Sequence, residues 1–172
     1  MQNWKNLKKA AGFLVALMAA TSMTVLAQGD ATILKPADMS KLMAQTVFYR
    51  GQTAPTQMRN SGGVKFADGY FILASLVDTS GYSTGVAAKY QAYFITEIPI
   101  TVGGKSLAAG AYGIGFIEGD KLVVTDLGAH EVFTVSSATD NEIKRPVPLQ
   151  ITTDPSGGFR LYAGRKYVVL TR

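Results

Sequence analysis

Histidine most often carries acid–base chemistry near neutral pH, and this 172-residue chain contains one histidine, His130. A Ser–His–Asp site would combine His130 with an acid such as Asp126 and a serine. No G-x-S-x-G motif singles out a nucleophile, and a lone histidine beside Glu131 is typical of a surface turn. The chain has no cysteine, which excludes disulfides, thiolate metal sites and cysteine nucleophiles.

The other chemically suggestive motifs fail on spacing. The segment G-G-K-S at 103–106 ends like a phosphate-binding loop, but the required earlier glycine would fall on Pro99. Glu118 and Asp120 are too few for a calcium loop, and no spacing selects a carboxylate pair for glycoside hydrolysis. The sequence therefore predicts no catalytic residue, no metal ligand and no cofactor.

Aromatic residues are the remaining candidates for a binding site. Eight tyrosines occur, all of them after residue 27. We take Tyr90, Tyr93, Phe94 and Tyr112 as the residues that would line a cavity for a small ligand. The alternative is that they pack in the core or across neighbouring strands, which is ordinary for aromatic residues in sheets.

The N-terminus has the three-part layout of a secretory signal. Lys5, Lys8 and Lys9 precede the uncharged apolar run Ala10–Met18, and Val25-Leu26-Ala27 offers small residues at a cleavage site. We predict a signal peptide over residues 1–27 and export to the periplasm or beyond. The alternative is an uncleaved anchor over Ala10–Ala27, which is about long enough to span a bilayer. After cleavage no stable membrane span is expected.

Removing this segment changes the charge balance. It carries three lysines and no acid, so 17 Lys+Arg become 14 against 12 Asp+Glu, and the net charge falls from +5 to +2. A nucleic-acid partner needs a concentrated basic face, which this composition does not provide.

The rest of the chain has a β pattern. We predict a lead-in segment over 28–45, with a short helix from Pro36 to Gln45, and a single β-rich domain over 46–172. The residues Gly51–Gly63 read as a polar loop. Segments rich in strand-forming residues are Thr46–Arg50, Tyr70–Val77, Lys89–Glu97 continuing to Val102, Ala111–Ile117, Lys121–Thr125, Glu131–Val135, Val147–Thr153, Phe159–Ala163 and Tyr167–Thr171. The expected fold is all-β, a small antiparallel barrel or sandwich of about eight to ten strands.

A glycine pattern occurs three times. A Gly pair at 62–63, 103–104 and 157–158 is followed by a second glycine, Gly69, Gly110 or Gly164, and then by an aromatic-bearing strand. We interpret each copy as a turn, a short strand, a second turn and a longer strand. The alternative is coincidence in a glycine-rich chain.

The segment I-T-V-G-G-K-S-L-A-A-G-A-Y at 100–112 resembles a G-K-x-L-P-A-G-x-Y hairpin motif of exported bacterial proteins of unknown function, with Ala108 in place of the usual proline. The resemblance implies a compact β-domain and carries no catalytic residue or substrate.

Two main hypotheses about function follow from these observations, and a third alternative is a hydrolase whose catalytic residues no motif singles out. The first is a non-catalytic exported domain that binds a small apolar or aromatic ligand. The second is a structural or protein-interaction module that acts through an edge strand or an aromatic face. A ligand binder should have a cavity of a few hundred Å³, whereas an interaction module should have a filled core and an exposed apolar edge.

Overall fold

The computed structural model describes residues 31–172. The predicted signal peptide over 1–27, and the first three residues of the lead-in, lie outside this range. Within the described range, no helix combines the length and the apolar character needed to cross a membrane.

Fourteen strands and two one-turn helices make up the described chain. The N-terminal half contains β1 (Thr32–Leu34), α1 (Pro36–Met39), β2 (Thr46–Tyr49), β3 (Gln52–Lys65), β4 (Phe71–Val77), α2 (Thr84–Ala87) and β5 (Ala92–Thr96). The remaining strands are β6 (Ile100–Val102), β7 (Lys105–Leu107), β8 (Gly110–Ile117), β9 (Lys121–Thr125), β10 (Glu131–Ser136), β11 (Ala138–Thr139), β12 (Gln150–Thr153), β13 (Phe159–Ala163) and β14 (Lys166–Thr171).

The strands form two antiparallel sheets. The first sheet runs β1-β3-β4-β5-β8-β9-β10, with β2 also paired to β3, and the second runs β12-β13-β14-β6-β7, with β11 paired to β14. The predicted all-β antiparallel class is confirmed, and of its two alternatives the arrangement corresponds to the sandwich. The strand number exceeds the prediction, because β1, β7 and β11 are very short and β3 occupies a segment expected to be a loop.

The two sheets enclose the main core. Apolar side chains from β4, β5, β8 and β9 of the first sheet meet those of β6, β13 and β14 of the second. They include Ile72, Phe94, Ile114, Leu122, Val124, Ile100, Val102, Leu161, Val168 and Leu170, each at most 3% exposed. This burial supplies the hydrophobic stabilisation that the chain needs in the absence of disulfides.

The first sheet is also covered on its outer face. Along β4, Ile72 and Ala74 point into the main core, while Leu73 and Val77 join a second cluster on the opposite side. This cluster consists of residues from α1, the β2–β3 hairpin and the α2 segment packed on the sheet. We call these covering segments the outer layer. The first sheet is therefore the middle of three layers, which explains the nearly unbroken apolar run from Tyr70 to Val77.

The predicted loop over Gly51–Gly63 is wrong. Gly51 lies in the turn before β3, and residues 52–63 belong to β3, which pairs with β2 near its start and with β1 and β4 near its end. Pro55 is tolerated within β3 because it lies at the end of the β3–β4 ladder. The carbonyl oxygen of Pro55 accepts a hydrogen bond from Asp78 N (2.9 Å). A register shift between Thr56 and Ser61 takes up the polar residues between them.

The lead-in is integrated into the fold. Thr32 pairs with Lys65 and Leu34 with Gly63, so β1 is a strand of the first sheet. The predicted helix from Pro36 is one turn long and ends at Met39, whose side chain is fully buried in the second cluster.

The glycine pattern has the expected structure in only one of its three copies. Gly157 and Gly158 (φ +103° and +83°) and Gly164 (φ +63°) form the two expected turns around β13. At 103–104 the first turn is present, but Gly110 lies in β8 without a positive φ. Gly62 and Gly63 lie inside β3, so the interpretation is wrong for that copy.

Asp154 organises the turn between β12 and β13. Its carboxylate accepts hydrogen bonds from Ser156 N (2.8 Å), from the Ser156 hydroxyl and from Arg160 Nε. The guanidinium of Arg160 also lies over the Tyr167 ring, 4.5 Å from its centroid. The Ser156 hydroxyl and Arg160 hold the pKa of the Asp154 carboxyl below its usual range.

We expect Asp154→Asn to lower the free energy of unfolding at pH 7 by about 1–3 kcal/mol, because a nearly buried charged acceptor is lost. The folded pKa is depressed, so this stabilisation is present above the unfolded pKa of about 3.9 and disappears as pH falls through the folded value. Urea unfolding measures the free energy of unfolding at pH 7 and in strong acid. The difference in this free energy between wild type and variant should be smaller in acid. An equal difference at both pH values would contradict this assignment.

Candidate functional site

The interior of the sandwich is filled. Phe94, Ile114, Leu122, Leu161 and Leu170 are among the residues around its centre, and the gap between them has no space for a water molecule. A ligand cannot occupy this interior without unfolding part of the core, so a binding site has to lie elsewhere.

The four predicted site residues are divided between two faces of the first sheet. Phe94 and Tyr112 are paired in register on β5 and β8 and point into the main core. Tyr90 and Tyr93 belong to the second cluster on the outer face. Strand alternation separates Tyr93 from Phe94, so the four side chains do not line one cavity.

A group of three tyrosines lies on the outer face. The rings of Tyr49 and Tyr90 stack with centroids 3.6 Å apart and an interplanar angle of 12°. Tyr82 packs edge-on against both, at 6.0 Å from Tyr49 and 5.5 Å from Tyr90. We call these residues the tyrosine cluster. It joins β2, the segment before α2 and the segment after α2 into one unit.

Two glycines of β8 make room for this cluster. A Cβ atom at Gly113 would lie 2.6 Å from Cε2 of Tyr49 and 2.8 Å from Cδ2 of Tyr90. A Cβ atom at Gly115 would lie 2.5 Å from the carbonyl oxygen of Lys89. Because neither position carries a side chain, the rings and the α2 segment rest directly on the backbone of the sheet.

Hydrogen bonds fix two of the three tyrosine hydroxyls. Thr125 Oγ1 donates to the carbonyl of Gly113 (3.1 Å), so the Tyr49 hydroxyl is the donor in its 2.7 Å contact with Thr125 Oγ1. The Tyr82 hydroxyl donates to the carbonyl of Tyr49 at 3.1 Å. These bonds tie β2 to β8 and β9 across the outer face.

The third hydroxyl is buried without a partner. Tyr90 is fully buried, and its hydroxyl has no hydrogen-bond partner within residues 31–172. Burial raises the pKa of Tyr90, and the neighbouring Tyr82 raises it further. The group therefore remains a neutral phenol, and its unsatisfied hydroxyl is a cost to the folded state.

A pocket of about 250 Å³ lies beside the tyrosine cluster. Its lining comes from the β2–β3 turn, the α2 segment, the end of β9 and the loop after it. The lining residues are Tyr49, Arg50, Ser83, Gly85, Val86, Lys89, Thr125 and Ala129. We call this the Tyr49 pocket. It combines apolar walls with hydroxyls and two cationic side chains.

Strained backbone surrounds the Tyr49 pocket. Three residues other than glycine have positive φ in the described chain, and two of them, Arg50 (φ +49°) and Ala129 (φ +69°), line this pocket. Arg50 occupies the two-residue turn with Gly51, and its backbone N–H donates to the carbonyl of Leu127 at 2.7 Å. The hairpin and the loop after β9 are thereby locked together.

Two further grooves are open to solvent. One, of about 630 Å³, follows the irregular part of β3 between Pro55 and Asn60. The other, of about 420 Å³, lies beside β14 between the turn at Gly103 and β11. Neither contains a cluster of aromatic side chains.

His130 and Asp126 do form a pair. His130 Nδ1 lies 3.0 Å from Asp126 Oδ2, and the backbone N–H of His130 also donates to this carboxylate, which lowers the pKa of Asp126. In the part of the chain that the structure describes, no hydroxyl is hydrogen-bonded to this histidine. That part also contains no group of three or more His, Cys, Asp or Glu residues suited to a metal.

None of the four predicted residues lines the Tyr49 pocket: Tyr90 belongs to the tyrosine cluster beside it, and Tyr93 packs in the second cluster. The prediction did not include Tyr49, Arg50 or Tyr82, which come from distant segments. The available signal was the pair Gly113 and Gly115, two glycines on the same face of a predicted strand. Such spacing indicates that another part of the chain approaches the sheet closely.

We expect Gly113→Ala to destabilise the protein by about 1–3 kcal/mol, because the added methyl group collides with two packed rings. Gly81→Ala is the matched control, since its Cβ atom would meet nothing within 4 Å and its φ is not positive. Thermal and urea denaturation compare the variants. Equal stabilities would show that the rings do not rest on the sheet as described.

Tyr90→Phe should leave the protein as stable as wild type, or stabilise it by about 1–3 kcal/mol, because it removes an unsatisfied buried hydroxyl. Tyr49→Phe, which loses the bond to Thr125, should instead cost about 0.5–1.5 kcal/mol. Urea denaturation midpoints give both values. A clear loss of stability in Tyr90→Phe would contradict the assignment of an unpartnered hydroxyl.

No family model, no curated protein and no solved structure matches this chain. The resemblance of residues 100–112 to exported β-domain proteins stays a prediction. Proposals about function rest on the geometry of the Tyr49 pocket.

Proposed function

We propose that this chain is an exported, non-catalytic β-domain that binds a small molecule in the Tyr49 pocket. The observation that carries the proposal is a pocket of about 250 Å³ built beside a buried tyrosine cluster. Its volume lies just below the range of drug-sized sites, so the ligand is small. Export is supported by the basic, apolar and small-residue segments of the N-terminus.

The construction of the pocket supports binding over a purely structural role. Its walls come from segments far apart in the sequence, and hydrogen bonds hold them in place from Tyr49 to Thr125 and from Arg50 to Leu127. Two strained residues, Arg50 and Ala129, are kept at its rim. Preformed walls reduce the ordering cost of binding, and backbone strain concentrates at functional sites.

The second candidate is an interaction module that acts through an edge of the first sheet. This candidate is supported by exposed apolar side chains on the edge strands of the first sheet. Phe48 on β2 is 53% exposed, and Val132 on β10 is 47% exposed. A second copy of the chain pairing along such an edge would cover them.

Native mass spectrometry of the protein purified from its own host tests both candidates. We expect a monomer carrying a small molecule that is released on denaturation. Gly85→Leu should abolish this adduct, because the new side chain enters open space at the pocket wall. Gly81→Leu, which also enters open space but lies outside the lining, should retain it.

Wild-type protein without any adduct would contradict the proposed function. A dimer without an adduct would favour the edge-pairing candidate, and its loss in Phe48→Ser or Val132→Ser would identify the edge involved.

A further inference from the structure

We infer that the ligand of the Tyr49 pocket is a small organic anion, with a carboxylate held between Arg50 and Lys89. This inference rests on the proposed function and specifies the chemical class of its ligand. It follows from the charges, the polar groups and the shape of the pocket.

The charge in the pocket has one sign. Arg50 and Lys89 both contribute to the lining, and none of the lining residues is acidic. Neither cation takes part in a salt bridge within residues 31–172, although Arg160, Lys166 and Arg172 do. Two cations without acidic partners create a local potential that attracts an anion.

An acidic residue beside the pocket, Asp126, is already engaged in hydrogen bonds. Asp126 follows the lining residue Thr125, and its charge acts on Tyr49, as does that of Arg50. Its carboxylate accepts hydrogen bonds from Gly128 N (2.8 Å), His130 N (2.9 Å) and His130 Nδ1 (3.0 Å). Its carboxylate pairs with His130, and no salt bridge joins it to Arg50 or Lys89 within residues 31–172, so both cations are available to a ligand.

The position of Arg50 is unusual for its residue type. The first residue of a two-residue hairpin turn with positive φ is normally asparagine, aspartate or glycine, because other side chains are strained there. Arginine at this position contributes to the pocket lining, and its planar guanidinium suits bidentate binding of a carboxylate. The strained φ of +49° is therefore found at a residue whose side chain can bind an anion.

The rest of the lining suits a short organic body. Val86 and Ala129 provide apolar surface, and the Ser83 hydroxyl, which makes no capping hydrogen bond to α2, remains as a donor. The Thr125 hydroxyl donates its only proton to the carbonyl of Gly113, so it is not a donor to a ligand. An aromatic or short aliphatic carboxylate matches this combination of groups and the volume of about 250 Å³.

The test uses benzoate as the probe and benzamide as its neutral counterpart of the same shape. Titrations of the full chain, followed by NMR chemical shifts, should show benzoate binding about tenfold more tightly than benzamide. Arg50→Gln and Lys89→Gln should each weaken benzoate binding about tenfold and leave benzamide unchanged. Added salt should weaken benzoate binding as well.

Arg59→Gln is the matched control, because Arg59 is an exposed arginine in the groove along β3 and not in this pocket. It should leave benzoate binding unchanged. The inference would be overturned if both probes bound equally, or if benzoate did not bind at millimolar concentration. It would also be overturned if Arg59→Gln weakened benzoate binding as much as Arg50→Gln or Lys89→Gln. If Gly85→Leu removes the native adduct but the probes bind equally, the proposed function stands and the anionic class of its ligand is wrong.

Discussion

Burial of the first sheet on both faces is the constraint on which the other features depend. One face meets the second sheet in a filled core, and the other carries the outer layer. The outer layer can approach only because β8 has glycine at 113 and 115, where any side chain would collide with the tyrosine rings or with the backbone of Lys89. The lack of a side chain at Gly113 and Gly115 thus allows the β2–β3 hairpin and the α2 segment to pack on the first sheet.

The Tyr49 pocket is a consequence of this attachment. The rings of Tyr49 and Tyr90 stack on each other close to the backbone of Gly113, and a gap is left beside them. The gap is bordered by Arg50 on one segment and Lys89 on another. Packing fixes the position of the walls, while the cations at the rim are free of ion pairs among the described residues. The packing of this layer therefore depends on the tyrosine rings and the glycines, whereas the proposed ligand binding depends on the cations.

Local patterns predicted much of the fold from the sequence. The strands β8 and β9 were predicted from strand-forming residues at 111–117 and 121–125, and the structure joins them in a hairpin whose turn contains Gly119 with a φ of +74°. The strand β3 was missed because Pro55 and several polar residues imitate a loop, and its pairing partners are distant in sequence. Tyr90 and Tyr93 were predicted as site residues, but neither lines the Tyr49 pocket, and strand alternation turns Phe94 to the opposite face of the sheet. Tyr49 and Arg50 meet at the pocket through tertiary contacts between segments that are distant in sequence.

Native-state amide hydrogen exchange tests most directly whether the outer layer is an integral part of the fold. Arg50 N–H donates to Leu127 and Tyr90 N–H donates to Val86, so both report on this layer. We expect these two amides to exchange as slowly as those of β5 and β8, through unfolding of the whole domain. Fast exchange at Arg50 and Tyr90, with β8 still protected, would show instead that the outer layer opens independently of the sheet.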